Sequence, residues 1–373
     1  MKVLIVNPIL YTSETDEIKR VSSVKDTMIY SLCMGFLKNG DEPTLIAAES
    51  YKPTKNESYP FRVIWFPCQF PKICKPRCIP MLKGFGTYLK NCKQEYDYII
   101  SSEVFALHTL SCALYAKEKL IIWHELGAHN HLMKKLPSKF WYNVIAGSLM
   151  KKIPIVPRSE KAAEFIGKYC QNVLPIRIDH GVELDKIKYS EEKENYFVVL
   201  SQLIERKHID RIIEQFHKFR EEHAKEKWDK EGYELKIIGD GILLEKLKQQ
   251  TKMLGEEEHI HFLGKMDHEA LMPILAKAKA LLIYTSKDNS MVSITESIAA
   301  GTPILTTPVP FNASYIKGAN LGIVKQDWSE TELNEICKNN RCYVQNCIKY
   351  REKLSNMYFA EAFDRIGETL QKS

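Results

Sequence analysis

The sequence predicts two doubly wound α/β domains in tandem, each an open parallel sheet with crossover helices. Three observations carry this. The 373 residues are too many for one ordinary domain and suit two. Short apolar runs alternate with amphipathic segments along the chain, the pattern of buried parallel strands with covering helices. One polar, charged stretch, residues 185–195, interrupts the alternation before it restarts.

Taken in order, strands are expected at 3–6, 44–47, 62–66, 98–101, 120–123 and 153–156. The opening MKVLIVNPIL reads as the first of them, because its apolar run is short and lacks a cleavage site. A helix over 24–38 is stopped by Asn39-Gly40. Beyond the interruption, strands at 196–200, 235–238, 259–262, 280–284 and 303–306 alternate with helices at 209–222, 243–253, 268–278 and 293–300. The tail, from about 333 to 371, reads as helical. The expected division is 1–187, 188–350 and a C-terminal helix, 351–373, that returns to the first domain. Two such sheets would face each other across a cleft, with ligands at the carboxyl ends of the strands.

Composition narrows the function classes. No run reaches the roughly 18 apolar residues of a membrane span. Ten cysteines without paired spacing fit reduced thiols in a cytoplasm, and Cys68, Cys74, Cys78 and Cys92 lack the C-x-x-C knuckle of a zinc site. The net charge of +6 is uneven, with +7 in residues 1–185 and −1 in the remainder. Residues 58–94 hold seven basic side chains and no acid; 126–159 hold six and no acid. Within 61–93 and 134–152 the cations interleave with Trp65, Phe66, Phe70, Phe85, Phe140, Trp141 and Tyr142. That pattern suits an anionic bilayer, here the inner face of a cytoplasmic membrane. Core helices with solvated ends are the equal alternative. No nucleic-acid-binding motif appears, so no nucleic-acid partner is expected.

The segment richest in chemistry spans 280–306. An expected strand leads into the polar turn Ser286-Lys287-Asp288-Asn289-Ser290, then a short helix and Gly301-Thr302-Pro303. Such a turn offers backbone N–H groups at a helix start, where phosphate binds. Asp288 and Glu296 are two carboxylates that can face one site, and ionised carboxylates accept hydrogen bonds from hydroxyl-rich ligands. Each has a plain alternative. Asp288 is also an ordinary turn residue, and Ser293-x-x-Glu296 fits a helix capping box.

Asp288-x7-Glu296 followed by Ser297-Ile298-Ala299-Ala300-Gly301-Thr302-Pro303 resembles glycosyltransferase family 4, retaining enzymes of the GT-B fold. Ile237-Ile238-Gly239-Asp240-Gly241 resembles the family's glycine turn, and Ile260-His261-Phe262-Leu263-Gly264 the strand beside its base pocket. Gln202-x4-Lys207 is similar to its phosphate-binding Arg-x4-Lys. By position, the resemblance implies that Glu296 binds ribose hydroxyls and Asp288 the donor sugar. Lys207 neutralises the diphosphate, and the backbone of Ser290, Met291 and Val292 cradles phosphate and sugar oxygens. Gly239, Gly241 and Gly264 shape the donor site. Gln202 stands where the family has arginine, with Arg206 as a substitute cation, and Asp288 is one methylene shorter than the usual Glu.

In the first half, His124 follows an expected strand and would face the cleft; the resemblance implies that it positions the transferred sugar. A satisfied loop histidine is the alternative. His124-Glu125-Leu126-Gly127-Ala128-His129 misses the metalloprotease spacing, since its second histidine is at i+5 rather than i+4. Ser22-Ser23 replaces the family's Gly-Gly turn on the acceptor side. The implied activity is sugar transfer from a UDP- or GDP-linked donor to a glycan or lipid-linked glycan, with no metal and no cofactor beyond the nucleotide-sugar substrate. An epimerase of similar fold and an inactive sugar- or lipid-binding relative are the rivals.

Overall fold

In the computed structural model the described residues are 1–10, 23–54, 57–129, 135–179, 181–225 and 232–372. The chain forms two compact units, one of residues 1–181 with 355–373 and the other of residues 182–354.

The first unit runs β1 (Lys2–Val6), α1 (Met28–Lys38), β2 (Glu42–Ala48), β3 (Arg62–Phe66), β4 (Cys68–Gln69), β5 (Met81–Leu82), α2 (Phe85–Cys92), β6 (Tyr98–Ser102), α3 (Leu107–Tyr115), β7 (Leu120–His124), α4 (Lys135–Phe140), β8 (Ile155–Pro157) and α5 (Glu160–Ile166). Six strands make one sheet in the order β3-β2-β1-β6-β7-β8, and β4 and β5 form a separate small hairpin. Val3 to Val6 are buried on both faces, as a central parallel strand requires. α1 turns Ile29, Leu32, Cys33 and Phe36 inward at helical spacing. The expected helix over 24–38 is interrupted at Thr27, which is extended. Val24–Asp26 form a separate tight turn. After α4 the chain continues in wider helical turns over Trp141–Met150.

The second unit runs β9 (Tyr196–Leu200), α6 (Ile209–Lys225), β10 (Glu234–Ile238), α7 (Leu244–Met253), β11 (Ile260–Gly264), α8 (His268–Lys277), β12 (Ala280–Leu282), α9 (Val292–Ala299), β13 (Ile304–Thr306), α10 (Ala313–Gly318), β14 (Gly322–Val324), α11 (Glu330–Lys338) and α12 (Asn340–Tyr350). Its sheet order is β11-β10-β9-β12-β13-β14, with every pairing parallel. Alternate residues of β9 serve opposite faces. Val198 joins Leu275, Ile294 and Ile298 on one side. Phe197 and Val199 join Phe216, Phe219 and Leu333 on the other.

The chain then returns to the first unit as α13 (Asn356–Gln371), and the helical tail expected from about 333 is made of α11, α12 and α13. Phe363 packs on Phe36 and edge-on to Trp123. Gly35 permits the approach of α13, since a Cβ there would lie 2.3 Å from Asn356 O. Val182 N–H donates to Leu354 O at 2.9 Å, and both side chains enter the second core. The unit boundaries therefore fall at 181/182 and 354/355, several residues from the expected 187/188 and 350/351. No helix among the described residues is long and apolar enough to cross a membrane.

Candidate functional site

In each sheet the strand order reverses direction beside the first strand of its unit. For the second sheet this switch point lies between β9 and β12. Loops leaving neighbouring strands diverge at such a point and open a crevice at the carboxyl ends. The loops that do so here are 201–208 and 283–291.

The first loop lies flat against the turn that follows β10. Leu203 N–H donates to Asp240 O at 3.0 Å, and Leu243 N–H to Leu203 O at 3.1 Å. Gly239 takes φ 138°, and a Cβ on it would stand 1.8 Å from Ser201 O; one on Gly241 would stand 2.4 Å from Leu203 O. Two backbones can come this close only where the residue facing the contact has no Cβ, as Gly239 and Gly241 do. Gly264 closes the row by accepting Gly239 N–H at 2.9 Å.

A tight turn, Glu205–Lys207, then delivers two cations to one carboxylate. Lys207 Nζ donates to Asp288 Oδ2 at 2.7 Å, and Arg206 Nη1 to Asp288 Oδ1 at 2.8 Å. Thr285 Oγ1 adds a third hydrogen bond, to Oδ2 at 2.6 Å. Ser286 N–H donates to Arg206 O at 3.0 Å, which ties the two loops together by backbone. Burial alone would raise the Asp288 pKa, but the hydrogen bonds from Lys207 and Thr285 and the adjacent charges hold it below the usual carboxylate range. Lys207 is buried, whereas Gln202 is exposed and stands outside this cluster. The cation beside Lys207 is thus Arg206.

Glu296 makes no capping box. The cap of α9 is Met291, whose N–H donates at 2.6 Å to Oδ1 of the buried Asn312. Met291 is therefore already engaged, and of the three expected backbone donors Ser290 and Val292 are left. The Ser290 hydroxyl is enclosed without a partner among the described residues. Glu296 Oε1 lies 3.1 Å from His268 Nε2, and this hydrogen bond raises the pKa of the histidine.

In the first unit Ser22 lies outside the described residues. Ser23 Oγ accepts Lys25 N–H at 3.0 Å and donates to Glu57 Oε2 at 2.7 Å, with Tyr59 OH on the same oxygen. His124 does end β7, but its ring is wholly buried, stacked near Phe165 with Tyr142 at its edge, rather than open to a ligand. Its Nδ1 lies 3.0 Å from Glu103 Oε2. His129 pairs elsewhere, with Ser138 at 3.1 Å and Tyr169 at 3.3 Å. Among the described residues no group of three or more His, Cys, Asp or Glu side chains could hold a metal ion. Thr285, His268, Glu103 and Glu57 were not singled out from sequence. Only Thr285, three residues before Asp288, had a local signal.

Residues 182–344 match the model of the family described as Glycosyl transferases group 1. The second domain is a group 1 glycosyltransferase domain. A 95-residue stretch is 34% identical to the lipopolysaccharide glucosyltransferase WaaG of Escherichia coli, and it spans only 25% of this chain and 25% of WaaG. Among solved structures, Anabaena HepE in complex with UDP matches with TM-score 0.66 over 100% of both chains at 13% identity. The lipopolysaccharide outer core galactosyltransferase WaaB matches with TM-score 0.65 over 98% of both at 12%, and the WaaG structure with 0.59 over 100% of both at 15%. The fold is GT-B. Within the glycosyltransferase domain, the cluster around Asp288 occupies the switch point of the sheet.

Proposed function

We propose that the protein transfers a sugar from a UDP- or GDP-linked donor to a hydroxyl of a glycan or lipid-linked glycan, with retention, as a family 4 enzyme. The observation that carries this is the Arg206–Lys207–Asp288–Thr285 cluster at the switch point of a glycosyltransferase domain. Both Asp288 oxygens accept hydrogen bonds from these cations and the Thr285 hydroxyl. A diphosphate competes for the same Lys207 and Arg206, and drawing them away frees Asp288 to accept sugar hydroxyls. Phosphate entry and sugar binding are coupled in this way. Transfer breaks the bond from the anomeric carbon to the phosphate oxygen and forms one to the acceptor oxygen. The acceptor proton passes to the departing phosphate, whose growing charge Lys207 and the N–H groups of Ser290 and Val292 stabilise. In this reading those cations do the work of charge neutralisation, and no metal or further cofactor is called on.

Glu296 takes the ribose hydroxyls. Its removal as an anion, Glu296→Gln, should weaken UDP or GDP binding about 10-fold, the loss of roughly 1.4 kcal/mol of charge-assisted hydrogen bonding. Calorimetric titration with each nucleotide checks this and shows which base is preferred. Unchanged affinity for both would remove Glu296 from the site, and no binding of either would sink the donor reading.

The acceptor reading places the first unit at an anionic bilayer. Leu136, Phe140 and Val144 are 77%, 62% and 49% exposed on one helical segment beside Lys139, in a stretch without acids. Phe70 and Ile73 are exposed between β4 and β5, beside Lys72 and Lys75. Trp141, Tyr142 and Phe85, by contrast, are core residues and take no part. Lys134 lies outside the described residues. Co-sedimentation with phosphatidylglycerol vesicles but not phosphatidylcholine vesicles is expected, with Phe140→Glu abolishing it. Equal behaviour with both lipids would refute a charge-selected surface.

A further inference from the structure

The second unit holds a largely enclosed acid whose partner lies outside the Asp288 cluster. α9 is built of small and apolar side chains, and Ile294, Thr295, Ser297, Ile298 and Ala299 are buried. Glu296 is its one charged residue, with the side chain only 15% exposed. Its Oε1 accepts from His268 Nε2 at 3.1 Å, whereas Oε2 has no hydrogen-bond partner among the described residues. An ionised carboxylate only accepts, so the hydrogen of this contact belongs to the histidine. His268 stands in the first turn of α8, where the helix dipole disfavours a positive charge. That helix already has its cap, since Asp267 Oδ1 accepts Ala270 N–H at 2.8 Å. The ring is 49% exposed and adds little to the core. Neither the helix start nor the core accounts for a histidine here; its contact with Glu296 does.

The charges that face the ring come from α9 and from the tight turn before β9. The hydrogen bond to Glu296 raises the histidine pKa above its usual value, against the effect of burial. Glu183 and Lys186 act on it in opposite senses and pair with each other at 2.7 Å, which leaves Glu296 in control. A glutamate has three side-chain torsions, and a ligand that needs it in one place must freeze them at a cost in affinity. His268 freezes them beforehand. Oε1 keeps a second lone pair and Oε2 both of its own, so two adjacent hydroxyls can reach the carboxylate with the histidine in place. We propose that His268 is a positioning residue, holding Glu296 in the orientation that accepts the two ribose hydroxyls of the donor nucleotide. The ribose half of this inference rests on the function proposed above; the hold of His268 on Glu296 stands without it.

Calorimetric titration with UDP and with GDP reads the effect on binding. His268→Ala should weaken the nucleotide that the wild-type chain prefers about 3- to 10-fold, the range for losing one pre-ordered side chain. His268→Gln should restore affinity to within about twofold, because its amide N–H donates to Oε1 as the ring does. In a Glu296→Ala background His268→Ala should cost nothing further, since no carboxylate is left to hold. Proton NMR titration of His268, assigned by its loss in His268→Gln, tests the contact without nucleotide. There Glu296→Gln should lower the histidine pKa toward its ordinary value. A loss from His268→Ala that persists in full without Glu296 would show that the ring touches the nucleotide itself, and would overturn the positioning role. Affinity unchanged by His268→Ala, no rescue by glutamine, or a histidine pKa unmoved by Glu296→Gln would overturn it too. If neither nucleotide binds the wild-type chain, the ribose half falls with the donor reading, and the titration still decides whether His268 holds Glu296.

Discussion

Lys207→Met should lower kcat about 10²- to 10³-fold, the loss seen when one preorganised donor to developing charge is removed. The variant should nevertheless fold, because Asp288 keeps its hydrogen bonds from Arg206 and Thr285 and is not left as an unpaired buried charge. Nucleotide binding should weaken less than turnover, since a ground-state diphosphate carries less charge at the leaving oxygen than the transition state does. Lys207→Arg should rescue little. A planar guanidinium cannot replace a compact ammonium in a buried position already flanked by Arg206. Arg206→Gln should be milder, about 10-fold, because Arg206 is the more exposed of the two cations. Steady-state rates with a saturating donor check the series. A Lys207→Met enzyme within about threefold of wild type would mean that the cluster is merely a structural ion pair.

The sequence was most legible where an apolar run is unbroken and bounded. The strands expected at 62–66 and 196–200 fall on β3 and β9 to the residue, each an apolar run closed by polar or turn residues. β14 was missed because Gly322 breaks its apolar run, whereas the equally short β12 sits in the unbroken run 280–284; β4 and β5 have only two residues each. In the site, the Asp288-to-Glu296 spacing and Lys207 could be read because a strand-turn-helix unit is local. Their pairing could not: Lys207 and Asp288 are 81 positions apart and meet only because β9 and β12 are neighbours in the sheet. The same holds for Glu103 with His124 and for His268 with Glu296, each a tertiary contact without a sequence period. The capping-box alternative for Glu296 was sound as a local pattern. It lost because Asn312 reaches Met291 N–H, which starts the helix earlier than the Ser293 pattern requires.

Gly239→Ala should be the most damaging single methyl in the second domain. The added Cβ would fall 1.8 Å from Ser201 O, a backbone atom that no rotamer change can move. At φ 138° the alanine would also be strained by its own backbone. Relief requires separating the loop after β9 from the turn after β10, and with it the hydrogen bonds that place Arg206 and Lys207. A destabilisation beyond about 4 kcal/mol is expected, in the exceptional class for one substitution. Gly264→Ala is the matched control. It too has a positive φ, +70°, but nothing lies within 4 Å of its Cβ position. Its loss should be only the conformational term, about 1–2 kcal/mol. Urea unfolding followed by the tryptophan signal separates the two. Comparable losses for both glycines would show that backbone conformation, and not the stacking of the two loops, makes Gly239 necessary.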